Sequence, residues 1–387
     1  MNDSILITNA RVILPTTVYE RGWLLTAGKS IRRIGWGDAP DFDGAQTIDA
    51  RGLNLIPGLI DVHVHGAVGH ETMDANPDGL RAMAKFYAQQ GVTGFFPTTW
   101  TAPREQIMAA LEMIAEMQGP QPQGATILGA HLEGPYISVE KHGAQREQDV
   151  RRADHDEALA FLNVGIIRLL ALAPEYDENK WLITEAVRRG ITVSVAHTTA
   201  TYHQIVAAAA LGLSHATHTY NAMTGLAHRE PGTLGAVMTL PEVYCELIAD
   251  NIHVHPAAMQ ILYAAKGPDR VVLITDSVRG AGLPDGEYHI DDRAVMIKDG
   301  AVRLPDGTLA GSTVTMDRCL RNFMAATGQP LEKVWQTSSL NAARSLHIAA
   351  NKGSIEIGKD ADFVLVDDEI NVHLTVAEGR VVYQMVG

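Results

Sequence analysis

Residues 192–219 read TVSVAHTTATYHQIVAAAALGLSHATHT. The apolar run at 192–197 has the length of a buried strand, 201–211 is an alanine-rich helical stretch, and 213–219 is a second strand candidate. This strand–helix–strand unit repeats on both sides. Further strand candidates stand at 59–65, 92–98, 126–132, 167–172, 244–249 and 270–275. Helical stretches follow most of them, for example at 103–118, 177–189 and 255–266, with the last at 315–327 and 330–346. Eight βα units in succession predict a closed parallel (β/α)8 barrel over 57–346 rather than an open sheet. Residues 287–309 interrupt the scheme and read as a hairpin-like insertion near the top of the barrel.

The two ends differ from the middle and resemble each other. Residues 5–13, 22–27 and 31–36 are short apolar-rich runs separated by turn residues, and 354–358, 362–366, 371–376 and 380–383 repeat the style. Neither end has enough strands to stand alone. The expectation is one small β-sandwich built from both termini, with 1–56 and 347–387 as its two parts.

Composition fits this size and class. The chain has 387 residues, 46% apolar and 20% charged, enough for a barrel of roughly 250 residues plus a smaller module. Apolar runs are strand-length, far short of the ~20 residues of a membrane span. The start carries no basic segment before a long apolar core, and Cys245 and Cys319 make no disulfide framework. A cytoplasmic enzyme is expected. The net charge of −14 repels nucleic acid and anionic lipid, so an anionic substrate would need a local cationic cluster.

Barrel enzymes carry their chemistry where strands end at the C-terminal face. Strand one ends Asp61-Val62-His63-Val64-His65, and alternation lets His63 and His65 share the inward face. Strand three ends His131-Leu132-Glu133, strand five ends at His197, strand six carries His215 and His218, and strand eight ends at Asp276. Singly these are weak signals, since a strand-end His is more often structural and an Asp there is usually a helix cap. Jointly, imidazoles and carboxylates at five strand ends match the ligand set of a catalytic divalent ion. Strand parity does not decide between His215 and His218.

Several segments carry a family resemblance: PGLIDVHVHG (57–66), HLEGPYIS (131–138), VAHTTA (195–200), HTYNAMTG (218–225), HREPGTLGA (228–236), IADNIHVHP (248–256), LITDSVRGAG (273–282) and LAGST (309–313). In this order the chain resembles the amidohydrolase superfamily, and within it the N-acetylglucosamine-6-phosphate deacetylases and their galactosamine counterparts. The resemblance implies a principal divalent ion, Zn2+ by expectation with Fe2+ or another as alternatives, on Glu133, His197 and His218. His63 and His65 correspond to a second-ion pair, giving one or two ions per subunit. Asp276 is implied as the catalytic acid–base. Arg229 and His253 would hold the phosphate, with Asn221 and Ala222 lending amide or backbone contacts. In the family that Arg and His serve a neighbouring subunit's site, which implies a homodimer. The family's Lys-Gly-Ala-His stretch here reads His142-Gly143-Ala144-Gln145. Either Gln145, which cannot become cationic, polarises the substrate carbonyl less strongly, or His142 reaches over, or the substrate differs.

The expected reaction is hydrolysis of the N-acetyl group of an amino-sugar 6-phosphate, with no nucleic acid or membrane partner. Dihydroorotase-like and hydantoinase-like enzymes bridge two metals with a modified lysine, where this chain offers Glu133. A non-catalytic relative would tend to lose ligands that this chain keeps. A metal-independent phosphate-binding barrel is separated from these readings by metal analysis.

Overall fold

The computed structural model describes residues 4–291 and 293–385. Eight parallel strands form its centre: β1 (Leu59–Val64), β2 (Val92–Pro97), β3 (Ala130–Glu133), β4 (Ile167–Leu172), β5 (Thr192–Val195), β6 (His215–Ala216), β7 (Tyr244–Ile248) and β8 (Val271–Ile274). Neighbours pair in the order Leu59↔Val92, Thr98↔His131, Leu132↔Leu170, Leu172↔Val195, Ser194↔His215, Ala216↔Cys245 and Ile248↔Ile274. The ring closes where Val64 bridges Ser277 and Asp276 N–H donates to His63 O at 2.9 Å. Every residue of β1, β2, β5 and β8 is buried. Packing between the barrel interior and an outer helical layer explains the continuous apolar run of β8 and the apolar majority of β1 and β2.

That layer comprises α1 (Pro77–Gln89), α2 (Arg104–Met117), α3 (His155–Asn163), α4 (Asp177–Arg188), α5 (Tyr202–Ala210), α6 (Gly232–Thr239), α7 (Pro256–Lys266) and α8 (Met316–Thr327), one after each strand. Their sequences specify them locally. In α1 the buried Leu80, Met83, Ala84, Tyr87 and Ala88 recur at helical spacing, while Asn76 caps the start by accepting from Asp78 N–H at 3.0 Å. In α8, Met316, Cys319, Leu320 and Phe323 face the core and Gly328 ends the helix at φ 66°. No helix among the described residues is long and apolar enough to cross a membrane.

Three elements differ from the sequence reading, each for a local reason. The expected strand 126–132 is two pieces, Thr126–Ile127 and β3. Leu128 N–H still bonds to Phe95 O on one side, whereas Ala130 N–H bonds to Ile166 O on the other, so the chain changes partner between them. The expected strand 213–219 shortens to β6 because the chain turns at once into 217–222. The helical stretch 330–346 breaks into Leu331–Val334, a 3-10 turn at Trp335–Ser338, and Leu340–Ser345. There Ser338 and Ser339 hydroxyls bond to Trp335 O at 3.0 and 3.1 Å, competing with the helical ladder.

The termini share one eight-stranded sheet. Five strands come from the N-terminal part (Ile5–Ile13, Val18–Ala27, Ser30–Trp36, Gln46–Asp49 and Asn54–Pro57) and three from the C-terminal part (Phe363–Val366, Val372–Ala377 and Arg380–Gln384). The halves join where Asn54–Pro57 pairs antiparallel with Phe363–Val366. The sheet wraps a core of Ile7, Leu24, Ile31, Phe363, Leu365 and Val376. The run at 354–358 is not a strand; Gly358 N–H bonds to Ile31 O, and Ile31 N–H to Lys359 O, closing the sandwich edge. The insertion is a four-stranded antiparallel meander, Gly286–Ile290, Arg293–Lys298, Ala301–Arg303 and Leu309–Ser312, rather than a single hairpin. Val295, Ile297 and Val302 pack with Trp100 and Val278 beneath it.

Candidate metal and catalytic site

The C-terminal ends of the strands converge on one cavity of about 310 Å³. Glu133, at the end of β3, stands between two histidine pairs. Its Oε1 lies 3.3 Å from His197 Nε2 and 3.2 Å from His218 Nε2. Its Oε2 lies 3.6 Å from His63 Nε2 and 3.3 Å from His65 Nε2. Within each pair the Nε2 atoms face each other, at 3.2 Å for His63 and His65 and 3.1 Å for His197 and His218. All five side chains are buried.

These residues fit a divalent ion. Facing imidazole nitrogens gain nothing from each other as two lone pairs, and Glu133 Oε1 is buried with no hydrogen-bond partner among the described residues. A cation between them satisfies both. Two groups bring one ligand atom from each residue within 4.8 Å of one another: Glu133 with His197 and His218, and His63 with His65 and Glu133. The imidazole and carboxylate donors suit Zn2+ and Fe2+ alike.

Surrounding groups orient the rings. His197 Nδ1 donates to Lys141 O at 2.8 Å, which leaves Nε2 for the cavity. His63 Nδ1 lies 3.0 Å from Glu246 Oε2. His65 stacks on Trp100, with centroids 3.8 Å apart and planes 16° from parallel. The rim backbone is contorted: His197, His218 and Asp276 adopt φ of 43°, 28° and 49°, a region that non-glycine residues seldom enter. Each is the first residue or two beyond its strand, where the chain swings its side chain over the barrel mouth.

Asp276 caps no helix. Its Oδ1 lies 3.4 Å from His63 Nε2 and 3.3 Å from His65 Nε2. Burial works against its charge, but the His63 charge and the His65 hydrogen bond outweigh that and hold its carboxyl below the usual range. Glu133 follows the same balance: burial opposes ionisation, while His63, His197 and His218 hold it well below its ordinary value. Gly311, from the last strand of the insertion, backs Asp276 at φ 63°. A Cβ there would sit 2.4 Å from Val278 Cγ1 and 2.8 Å from Asp276 O, so the close approach requires glycine.

The remaining sequence candidates divide. Asn221, Ala222, His253 and Gln145 line the cavity. His253 Nδ1 is held by Asp250 Oδ2 at 2.6 Å. Gln145 has both ends of its amide engaged, accepting from Thr101 N–H at 2.7 Å and donating to Glu133 Oε2 at 2.7 Å. His142 does not line the cavity; its Nδ1 turns back to Gln145 O at 3.1 Å. Arg229 is exposed on the loop before α6 and makes no ion pair among the described residues. Sequence reading left His215 open; its Nε2 meets Glu246 Oε1 at 3.1 Å beneath the rim, while His218 reaches the ion site.

Sequence reasoning missed Glu246 and Trp100. Glu246 is fully buried in the otherwise apolar strand β7. A carboxylate inside such a strand is costly unless paired, and that was a readable signal. Burial opposes its charge, but His63 and His215 hold its carboxyl well below the ordinary value. His131 is forced the other way, to about 3, by burial and by the His63 charge, so it stays neutral beneath the site.

Comparison with known proteins places this arrangement among relatives. The amidohydrolase family profile matches residues 54–382. The chain is 40% identical over 347 residues to N-acetylglucosamine-6-phosphate deacetylase of Vibrio furnissii, covering 88% of this chain and 87% of the relative. It is 39% identical over 329 residues to N-acetylgalactosamine-6-phosphate deacetylase of Escherichia coli O157:H7, covering 84% and 87%. A mutant N-acetyl-D-glucosamine-6-phosphate deacetylase from Mycobacterium smegmatis, solved in complex with N-acetyl-D-glucosamine-6-phosphate, superposes with a TM-score of 0.90 at 30% identity, covering 98% of this chain and 99% of that one.

Proposed function

The chain belongs to the amidohydrolase family, and on that premise we propose that it hydrolyses the N-acetyl group of N-acetylglucosamine 6-phosphate to acetate and glucosamine 6-phosphate. The observation that carries this reading is Glu133 set between two histidine pairs with Asp276 beside them, in a chain whose similarity to such deacetylases runs along most of its length. The same similarity, 39% against 40%, extends to an N-acetylgalactosamine-6-phosphate deacetylase, so the two epimers are assayed together.

Glu133, His197 and His218 would hold the principal ion, Zn2+ by our reading, and His63 and His65 a second. Such an ion supplies Lewis acidity and lowers the pKa of bound water from about 15.7 towards about 7. The chain's own residues perform the remaining work. Asp276, held ionised beside His63 and His65, accepts the proton of the attacking water and returns it to the nitrogen as the C–N bond breaks. Burial of these side chains strengthens each electrostatic contact among them. Gln145 fixes Glu133 and so acts on the carbonyl through the ion site rather than by direct contact.

The phosphate needs positive charge that a protein of net charge −14 must place locally. His253 faces the cavity, and Asn221 and Ala222 line the same wall. Arg229 is exposed and outside the cavity of its own chain, which fits service to a neighbouring copy and hence a homodimer with shared sites. Its planar fork offers several donors to a phosphate. A cytoplasmic location accords with a sugar-phosphate substrate. Acetate release from both amino-sugar phosphates, with metal content measured on the same preparation, tests the whole reading.

A further inference from the structure

Glu246 sits midway along β7, with no exposed surface, beneath the rim rather than on it. Three groups meet its carboxylate. Oε2 faces His63 Nδ1 at 3.0 Å and accepts from His218 backbone N–H at 3.1 Å, while Oε1 faces His215 Nε2 at 3.1 Å. An ionised carboxylate only accepts, so His63 must carry a proton on Nδ1, which leaves Nε2, directed towards His65 Nε2 and Glu133 Oε2, as the atom that would face an ion.

The four rim histidines are not supported alike. His197 Nδ1 is held by a neutral carbonyl, Lys141 O. The Nδ1 atoms of His65 and His218 are buried with no hydrogen-bond partner among the described residues. His63 alone of the four has its Nδ1 on a carboxylate, and that carboxylate is itself braced by His215. A carboxylate behind a ligating imidazole fixes its tautomer and raises its basicity.

We propose that Glu246 is a positioning residue that enables this chain to hold a second divalent ion: it anchors and polarises His63, and the His63–His65 pair binds its ion through that support. The proposal rests on the two-ion reading given above. The ion at Glu133, His197 and His218 draws on Lys141 O through His197 and on Glu246 only through the His218 backbone N–H, and is the less dependent of the two.

Glu246→Gln isolates the charge. The amide oxygen can take the place of Oε2 and accept from both His63 Nδ1 and His218 N–H. The amide NH2 then faces His215 Nε2, and His215 can accept by moving its proton to Nδ1, which has no hydrogen-bond partner among the described residues. Wild type and Glu246→Gln are reconstituted with Zn2+, dialysed against graded concentrations of a chelator and analysed for metal per subunit. Wild type should hold two ions, and Glu246→Gln should lose one of them at least about 10-fold more readily, the low end for a group behind a metal ligand. His63→Ala should lose the same ion, and the double variant no more. Two ions held by Glu246→Gln with wild-type affinity, or both ions weakened equally, would overturn the proposal. A wild type with a single ion would fail the two-ion reading itself, which its own stoichiometry reveals. Should Glu246→Gln not fold, 15N NMR of the His63 ring in the Zn2+-loaded wild type decides: Nδ1 protonated and Nε2 metal-bound is expected, and an unprotonated Nδ1 overturns it.

Discussion

Gln145 donates to Glu133 Oε2 at 2.7 Å while its own carbonyl oxygen accepts from Thr101 N–H at the same distance. A backbone N–H can only donate, so the amide orientation is fixed: oxygen to Thr101, NH2 to Glu133. Gln145 is therefore tied to the carboxylate that would bind the ion. Gln145→Leu should weaken metal affinity about 10- to 100-fold along with turnover. A chelator titration beside the acetate assay checks this. Loss of turnover with metal binding untouched would return Gln145 to direct contact with substrate.

Asp276→Asn keeps size and shape but removes the proton-accepting function. Turnover should fall at least about 100-fold, the low end for general acid–base catalysis. Metal content and substrate binding, measured by metal analysis and calorimetry, should persist. Near-normal turnover would leave Asp276 no role beyond its contacts with His63 and His65.

Arg229→Ala should impair use of the 6-phosphate sugar far more than of plain N-acetylglucosamine, because a charge-assisted phosphate contact is worth a few kcal/mol, about 1.5–3. The loss should appear mainly in KM if the contact serves ground and transition states alike. Mixing Arg229→Ala with Asp276→Asn subunits tests sharing. If Arg229 acts across the dimer, hybrids pair one intact site with one doubly defective site and should regain activity. Equal loss on phosphorylated and plain sugars would remove the phosphate assignment.

Lys352 is a structural counterpart far from this chemistry. Its buried ammonium lies 2.9 Å from Asp360, 2.7 Å from Asp362 and 3.2 Å from Glu378. Lys352→Met would strand three carboxylates at the C-terminal part of the sandwich. It should destabilise the protein by about 3–5 kcal/mol, read by denaturant unfolding. An unchanged unfolding midpoint would show that water takes over the ammonium's role.

The barrel was legible because strands buried on both faces tend to be apolar, as β8 is throughout, and because their intervals repeat. His63, His65, Glu133, His197, His218 and Asp276 were legible as one set because each ends or follows a strand. What escaped depends on contacts between distant segments. Glu246 meets His63 across 183 residues, and only its charge within an apolar strand marked it. Trp100 matters through stacking on His65, which no local pattern encodes. Gln46–Asp49 joins the terminal sheet by pairing with Ile5–Thr8, although its own sequence is weakly apolar. The break at 335–339 follows from serine hydroxyls competing for one carbonyl, a three-dimensional choice that periodicity overlooks.

The central claim is metal-dependent removal of an acetyl group from an amino-sugar 6-phosphate. Its most direct test is acetate release from N-acetylglucosamine 6-phosphate by one preparation assayed as purified, after exhaustive chelation, and after Zn2+ is restored, with metal per subunit measured at each stage. Acetate should be released in equal amount to the free amine, vanish with the metal and return with it. Full activity in rigorously metal-free protein, or no acetate from the metal-loaded enzyme, would contradict the account.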